Sequence, residues 1–307
     1  MPDLLGILRQ SFGSLAALLD DPAMVEISAN ADGRVFAERA GSAPTYAGDL
    51  SARAREQIIR TCATASGVPA TAEAPIVSAR MPGCGYRFEG LIPPAVEVAT
   101  FSIRLHGAEV RSLDSYVASG TMRQDQVNVL RAALQERRNV IVSGGTSSGK
   151  TTLLNSLLRE LGSLAPSERL VVIEDTPELR TSQDNTVFLR ATGAADATRL
   201  LASTLRLRPD RIIVGEVRDG AALALLKAWN TGHPGGLASL HANSARDALV
   251  RLDLLVREAS AAPLPEVIGS AVDLVVFVER TRAGRQLREI IAVKGYANGK
   301  FETELVA

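Results

Sequence analysis

The chain has 307 residues, enough for two domains at roughly 100–200 residues each. Its 34 lysines and arginines balance 34 aspartates and glutamates, so no bulk charge favours a dedicated nucleic-acid binder. The two cysteines, Cys62 and Cys84, are too few for a zinc module with paired CxxC elements or for a disulfide framework. They indicate reduced thiols in a reducing compartment.

The N-terminal segment has no signal-peptide pattern, and no apolar run approaches the ~18 residues that cross a bilayer. We therefore expect a cytoplasmic protein, with peripheral docking on a membrane as the closest association. Residues 4–19 carry leucines at helical spacing and predict an amphipathic helix. Its leucine face could touch lipid, but packing against its own domain is the favoured interpretation.

The first third of the chain predicts a small α+β domain. Two short strands flank a turn at Asn30–Gly33, and a second helix is predicted over about 51–66. Three strand-like stretches follow, IVSARM, YRFEGLI and EVATFSIRL. Residues 107–122 then mix Gly, Ser and short apolar groups, as connecting segments do. The predicted organisation is an N-terminal domain at 1–107, a linker at 108–121 and a second domain at 122–307.

The second domain alternates strands with helices. Its strands are nearly continuous runs of Val, Ile and Leu, which predicts burial on both faces in a mostly parallel α/β sheet covered by helices. Residues 273–306 are predicted to form closing strands, with a hairpin turn at Asn298–Gly299. The buried strands are predicted in NVIVSG, RLVVIED, RIIVGEV and GGLASLH.

A phosphate-binding loop is the sharpest motif. It matches G-x-x-x-x-G-K-[ST] and lies between a predicted strand and a predicted helix, the context that the motif requires. Backbone amides of such a loop surround phosphate oxygens, Lys150 reaches the terminal phosphates and the Thr151 hydroxyl binds Mg²⁺. The predicted nucleotide-binding residues are Gly144, Gly145, Thr146, Ser147, Ser148, Gly149, Lys150, Thr151 and Thr152.

Three further segments place polar residues after buried strands. Glu216 ends RIIVGE, where a carboxylate beside a phosphate loop can orient Mg²⁺ or polarise water. Glu174, Asp175 and Glu178 follow the strand in RLVVIED. His241 ends the strand in LASLH, where a ring nitrogen could sense a terminal phosphate; a lone histidine is more often a packing residue.

In this order, GGTSSGKTT, IEDTPEL, LRLRPDRIIVGEVRD and TGHPGGLASLHANS resemble the Walker A, aspartate, Walker B and histidine boxes of the type II/IV secretion ATPase superfamily. Segments of the first domain, among them GYRFEGLIPPAVEVATFSIR, resemble its conjugal-transfer branch. The resemblance implies a RecA-like P-loop ATPase domain preceded by a smaller α+β domain. It also implies a homo-hexamer that hydrolyses ATP with Mg²⁺ for a type IV secretion machine at the inner membrane.

The resemblance also implies roles for particular residues. Glu216 and Glu178 would be catalytic or water-polarising carboxylates, and His241 would sense the γ-phosphate. Thr151, Glu174 and Asp175 would lie at the metal. The arginines expected near the phosphates are Arg87 and Arg104 in the first domain and Arg206 and Arg208 in the second.

Two departures from the family pattern stand out. Ser147 replaces a usual glycine, which predicts a slightly stiffer loop, and Ser239 replaces a usual threonine. Two alternatives stay open, a RecA-like nucleic-acid motor and a nucleotide-gated scaffold of a secretion or pilus machine. Neutral net charge and the lack of a basic stripe with interleaved aromatics argue against stable binding to nucleic acid.

Overall fold

The computed structural model describes residues 3–39, 42–83, 86–105, 110–281 and 284–307. The chain divides into two compact units, residues 1–109 and 110–307. Cys84 and the start of the predicted linker near residue 107 lie outside the described residues, whereas Cys62 is buried.

The first unit contains an antiparallel sheet of six strands in the order β3-β2-β1-β6-β5-β4. Its strands are β1 (Met24–Ala29), β2 (Arg34–Arg39), β3 (Thr45–Asp49), β4 (Ile76–Arg80), β5 (Arg87–Leu91) and β6 (Thr100–Arg104). The helices are α1 (Leu4–Phe12) and α2 (Ala52–Ser66). The prediction of an α+β domain agrees with this arrangement, although the short strand β3 was not predicted.

The predicted N-terminal helix is shorter than expected. The α-helix ends at Phe12 because Gly13 adopts a left-handed conformation with φ of 57°, and Gly13–Asp20 continue as a 3₁₀-helix. Leu15 and Leu19 still enter the core of the unit. The leucine spacing therefore includes the residues that are buried, but it also includes the exposed Leu5, and it did not identify the helix type.

The second unit contains an eight-stranded sheet in the order β14-β13-β12-β7-β11-β10-β8-β9. The six strands β12, β7, β11, β10, β8 and β9 are neighbours in this order, and each neighbouring pair is parallel. Strands β13 and β14 extend the sheet beyond β12 with antiparallel pairing. The mostly parallel sheet confirms the predicted α/β class. Its strands are β7 (Val140–Gly144), β8 (Leu170–Glu174), β9 (Thr186–Arg190), β10 (Arg211–Val214), β11 (Leu237–His241), β12 (Leu274–Thr281), β13 (Gly284–Ala297) and β14 (Lys300–Leu305).

Helices cover both faces of this sheet. One buried apolar cluster holds residues of α3 to α5 and the other holds residues of α6 to α9. The helices are α3 (Leu113–Ala118), α4 (Gln124–Gln135), α5 (Lys150–Leu164), α6 (Ala197–Thr204), α7 (Ala221–Asn230), α8 (Ala245–Ala259) and α9 (Pro265–Ala271). Helix α3 lies inside the segment predicted as a linker, and β9 and α9 were not predicted. No helix in the described ranges is long and apolar enough to cross a membrane.

Candidate active site

The predicted phosphate loop connects the buried strand β7 to helix α5. Gly149 caps α5 with φ of 101°, a conformation that glycine adopts without strain. A Cβ on Gly144 would collide with the carbonyl oxygen of Val278 and with Ser148 Oγ. The two motif glycines are therefore required by a left-handed turn and by a close approach of β12.

The backbone conformation at Ser147 explains why the family usually has glycine at this position. Its φ is 58°, in the left-handed region, where a residue with a Cβ is strained by roughly 1–2 kcal/mol. The serine thus adopts the conformation that the loop needs, but at a cost that glycine avoids.

Lys150 lies at the start of α5 and is only 7% exposed. Its Nζ donates hydrogen bonds to the carbonyl oxygens of Gly144 (3.0 Å) and Gly145 (2.9 Å). These bonds hold the ammonium against the loop, where a bound phosphate would meet it.

His241 and Glu216 meet beside Lys150 because β11 lies between β7 and β10. His241 is in register with Gly144, and its Nε2 lies 2.9 Å from Glu216 Oε1. Its Nδ1 is 3.4 Å from Lys150 Nζ. Burial, and then the nearby charge of Lys150, lower the pKa of His241 below its usual value. A neutral ring that donates from Nε2 to Glu216 fits these contacts.

Arg218 joins this group, although it was not predicted from the sequence. Its guanidinium donates to Glu216 Oε2 at 2.7 Å and to Asp175 Oδ2 at 2.5 Å. A chain of polar contacts therefore runs from Lys150 through His241, Glu216 and Arg218 to Asp175. Glu216 has both carboxylate oxygens engaged in this state.

Glu174 is placed differently from its neighbour Asp175. Its Oε1 accepts hydrogen bonds from the backbone amides of Glu178 and Leu179, both at 2.8 Å. Burial raises the pKa of Glu174, and these amides oppose that rise. Glu174 therefore shapes the turn that carries Glu178, whose backbone carbonyl also accepts from Asn155 Nδ2 at 3.1 Å.

The donor set around the loop suits Mg²⁺, which prefers hard oxygen ligands and commonly takes few of them from the protein. Thr151 lies in the first turn of α5, and the carboxylates of Asp175 and Glu216 are joined by Arg218. Within the described part of the chain, no group of three or more His, Cys, Asp or Glu side chains could hold a metal by itself. The nucleotide would have to supply the remaining ligands, as phosphates usually do.

The comparisons with known proteins agree with this site. Residues 9–289 match the family described as Type II/IV secretion system protein. The chain belongs to this family. It is 50% identical over 304 residues to a probable conjugal transfer protein TrbB of Sinorhizobium fredii, a match covering 99% of this chain and 94% of that protein. A conjugal transfer protein TrbB of Rhizobium radiobacter is 49% identical over the same coverage.

Solved structures of secretion ATPases share the fold. The VirB11 ATPase of the Brucella suis type IV secretion system superposes with a TM-score of 0.52 at 29% identity, covering 94% of each chain. The pilus retraction motor PilT superposes with a TM-score of 0.65 at 20% identity, covering 92% of this chain and 81% of that one. The family match and the two TrbB relatives together identify the chain as a type IV secretion ATPase of the TrbB branch.

The predicted arginines of this secretion ATPase lie in two places. In the first unit, Arg87 and Arg104 are direct partners across β5 and β6, and Arg80 pairs with Arg87 from β4. In the second unit, Arg206 and Arg208 are exposed in the turn between α6 and β10. Arg87 and Arg104 therefore share one row of the first sheet, and their role at a nucleotide stays a prediction.

A second missed arginine, Arg251 of α8, also borders the site. It lines a cavity of about 320 Å³ together with Glu216, Arg218 and His241. Arg218 could have been suspected because it follows Glu216 by two positions. Arg251 is remote in sequence from every motif residue except His241, so only the fold places it here.

Proposed function

We propose that this chain is the motor subunit of a conjugative type IV secretion system and that it hydrolyses Mg-ATP to power pilus biogenesis or DNA transfer. The observation that carries the proposal is the convergence of Lys150, His241 and Glu216 at the phosphate loop. An ammonium that binds phosphates and a carboxylate that can accept a water proton are groups that phosphoryl transfer to water uses, and the imidazole of His241 lies beside both.

Phosphate binding would begin at the loop. Lys150 Nζ now satisfies two backbone carbonyls, and a polyphosphate would draw at least one of its N–H groups onto an oxygen between the β- and γ-phosphates. The N-terminus of α5 adds backbone amides and the positive end of the helix dipole. Binding and charge neutralisation thus come from the same short segment.

Glu216 is the proposed base. As the water oxygen forms its bond to the γ-phosphorus and the bond to the oxygen that remains on ADP breaks, Glu216 would accept a water proton. Each carboxylate oxygen of Glu216 already accepts one hydrogen bond, and each keeps a second lone pair that can accept the water proton. His241 keeps Glu216 oriented through Oε1 and lies close enough to the loop to respond to the γ-phosphate.

Mg²⁺, when bound, would neutralise charge on the β- and γ-phosphates. Thr151 is the proposed protein ligand in the first turn of α5, with Asp175 as a neighbour through the metal's water shell. Glu174 would act mainly by shaping the turn before Glu178, because its Oε1 already accepts two backbone amides.

Assembly is part of the proposal. We infer a homo-hexamer in the cytoplasm, working peripherally with inner-membrane components of the secretion system and without stable binding to nucleic acid. Arg87 and Arg104 would then act on nucleotide phosphates, which a guanidinium fork stabilises well. The 50% identity to a probable conjugal transfer protein over nearly the whole chain supports this choice of machine.

The decisive test replaces Lys150. We expect Lys150→Ala to reduce ATP turnover at least about 100-fold, since it removes the charge that stabilises the transferring phosphoryl group. Lys227→Ala, at an exposed position on α7, is the matched control and should retain the wild-type rate. Turnover by the Lys150 variant within about tenfold of wild type would exclude this site as the place of hydrolysis.

Three further measurements separate the finer parts of the proposal. If subunits complete each other's sites, turnover per subunit should rise with protein concentration and then saturate. In cells that lack their own copy of the gene, wild-type protein should restore conjugative transfer and Lys150→Ala should not. Strong, salt-sensitive stimulation of turnover by single-stranded DNA would instead favour a nucleic-acid motor.

A further inference from the structure

We propose that Arg285 of β13 is a positioning residue for nucleotide binding, which holds the strained phosphate loop in the shape that receives phosphate. This inference rests on the proposed nucleotide site. It concerns a residue that lies outside every sequence motif of that site.

Arg285 reaches the loop because β12 and β13 are fastened to it. Strand β12 runs parallel to β7, with Val278 in register with Gly144, and Ser143 Oγ donates to the carbonyl of Val276 at 3.0 Å. Strand β13 then returns antiparallel to β12 and begins beside the loop. The position of Arg285 is therefore fixed by the sheet and not by the loop itself.

The side chain of Arg285 spans the strained turn. Its Nε donates to the carbonyl oxygen of Ser147 at 3.3 Å. Its Cδ would lie 3.0 Å from a Cβ placed on Gly149, so the arginine stem packs along the backbone that enters α5. Arg285 thus contacts both ends of the segment from Ser147 to Gly149.

The contact with the Ser147 carbonyl also sets the direction of the next amide. In a trans peptide, the carbonyl of one residue and the N–H of the next point in opposite directions. While Arg285 holds the Ser147 carbonyl, the Ser148 N–H points the other way, towards the carbonyl of Gly145 at 3.4 Å. Lys150 Nζ donates to the same Gly145 carbonyl at 2.9 Å, so the Ser148 amide and the Lys150 ammonium meet at one oxygen of the loop.

Strain at Ser147 makes this hold necessary. With φ of 58°, the serine would relax into an ordinary conformation if the carbonyl were released, and the 147–148 peptide would turn. Nucleotide would then have to restore the loop shape and would bind more weakly. With glycine at position 147 the left-handed conformation carries no such penalty, so the loop should keep its shape without Arg285.

The test is a double-mutant cycle on Mg-ADP binding, measured by isothermal titration calorimetry of the full chain. Arg285→Ala should weaken binding about tenfold, the size expected for losing a hydrogen bond from a charged group. In the Ser147→Gly background the same substitution should change the dissociation constant by less than about twofold. Ser147→Ala, which keeps the strain, should leave the Arg285 effect in full.

Arg288→Ala is the matched control. Arg288 is another exposed arginine on β13, and its guanidinium pairs with Glu279 and Gln286. It should bind Mg-ADP as wild type does, which separates a loop contact from a loss of net charge. Hydrogen exchange in residues 144–152 should be faster in Arg285→Ala and return to the wild-type rate in the double variant with Ser147→Gly.

The possible failures are distinguishable. If wild type and Arg288→Ala bind Mg-ADP and Arg285→Ala binds equally well, the role of Arg285 is overturned while the nucleotide site stands. Equal loss of affinity in the serine and glycine backgrounds also overturns it, because strain would then play no part. If wild type itself binds no Mg-ADP, the proposed function fails together with this inference.

Discussion

The two ends of the eight-stranded sheet use arginine and glutamate in opposite ways. At the carboxyl end, Arg218 is half exposed and shares its guanidinium between two carboxylates, one of them on Glu216. At the amino end, Arg211 is 2% exposed and forms an ion pair with Glu168. Because Arg218 is half exposed, its contacts with the two carboxylates can be replaced by contacts with water, metal or phosphate. Breaking the Arg211–Glu168 pair would leave a buried charge without its partner.

The amino end ties several elements together. Arg211 also donates to the carbonyls of Leu134 (2.9 Å) and Gly235 (3.3 Å), which belong to α4 and to the turn before β11. Asn139 accepts from the Gly236 amide at 2.9 Å and donates to the carbonyl of Ala271 at 2.7 Å. These contacts fix the start of β11, the strand of the histidine box. Because His241 is the last residue of β11, they also help to fix its position.

The comparison separates two kinds of motif residue. His241 lies at the exposed end of β11, whereas Gly235 and Gly236 precede the strand at its buried end. A Cβ on Gly236 would overlap the indole of Trp229. Glycine is therefore needed at position 236 for packing against Trp229. In the same motif, His241 is the residue with a proposed chemical role.

The largest expected effect is at the amino end. Arg211→Met should lower the free energy of unfolding by about 3 kcal/mol, because Glu168 loses a buried partner and two carbonyls lose a donor. Urea unfolding followed by circular dichroism measures it. Arg218→Ala, the exposed counterpart, should change stability by less than about 1 kcal/mol. Equal losses in the two variants would contradict the contrast between the ends.

The next effect is at the carboxyl end and appears in rate and not in stability. Glu216→Gln should reduce ATP turnover about 100-fold, since an amide cannot accept the water proton. Thermal unfolding and Mg-ADP affinity should stay close to wild type, because the amide keeps the size of the side chain. A variant that loses nucleotide affinity as strongly as turnover would place Glu216 in binding instead.

A smaller effect concerns the pKa of His241. Burial and Lys150 lower the pKa of His241 below its usual value, Glu216 favours the protonated ring and Arg218 opposes protonation. Glu216→Gln should therefore lower the pKa of His241 further, and Arg218→Ala should raise it. Proton NMR can follow the titration, because the chain has only three histidines. Unchanged titration midpoints of His241 in both variants would mean that the contacts between His241, Glu216 and Arg218 do not persist in solution.

The sequence predicted the site residues that belong to motifs at the ends of buried strands. The phosphate loop, Glu216 and His241 each follow a buried strand, and the parallel order of the strands brings their carboxyl ends together. Arg218 and Arg285 could not be predicted in the same way, because their roles depend on which carboxylate or carbonyl the fold brings near. The left-handed φ at Ser147 could have been predicted, because the family usually has glycine at this position.

The fold was predictable to a similar extent. Continuous apolar runs identified the central strands, whereas β9 was missed because it lies at the sheet edge with an exposed Phe188 and partly buried neighbours. The end of α1 was missed because the leucine spacing continues through Gly13 although the backbone does not. Local conformation at single residues, rather than hydrophobic pattern, accounts for both the short α1 and the strained phosphate loop.

The smallest expected effect sharpens the comparison at two strained residues. Arg137 at the amino end has φ of 56°, close to the 58° of Ser147. Glycine would relieve the same backbone strain at both, but it would also make the unfolded chain more flexible. For Ser147→Gly the net gain in the free energy of unfolding should be about 0.5 kcal/mol.

Arg137→Gly should instead destabilise the protein, by about 1 kcal/mol. The arginine pairs with Glu168 at 2.5 Å and donates to the carbonyl of Asp210 at 2.6 Å, and glycine removes both contacts. Urea unfolding of the two variants side by side measures the difference, with opposite signs expected. Stabilisation of both variants would mean that relief of backbone strain outweighs the side-chain contacts of Arg137. Destabilisation of both would mean that the added flexibility of the unfolded chain outweighs relief of strain at Ser147.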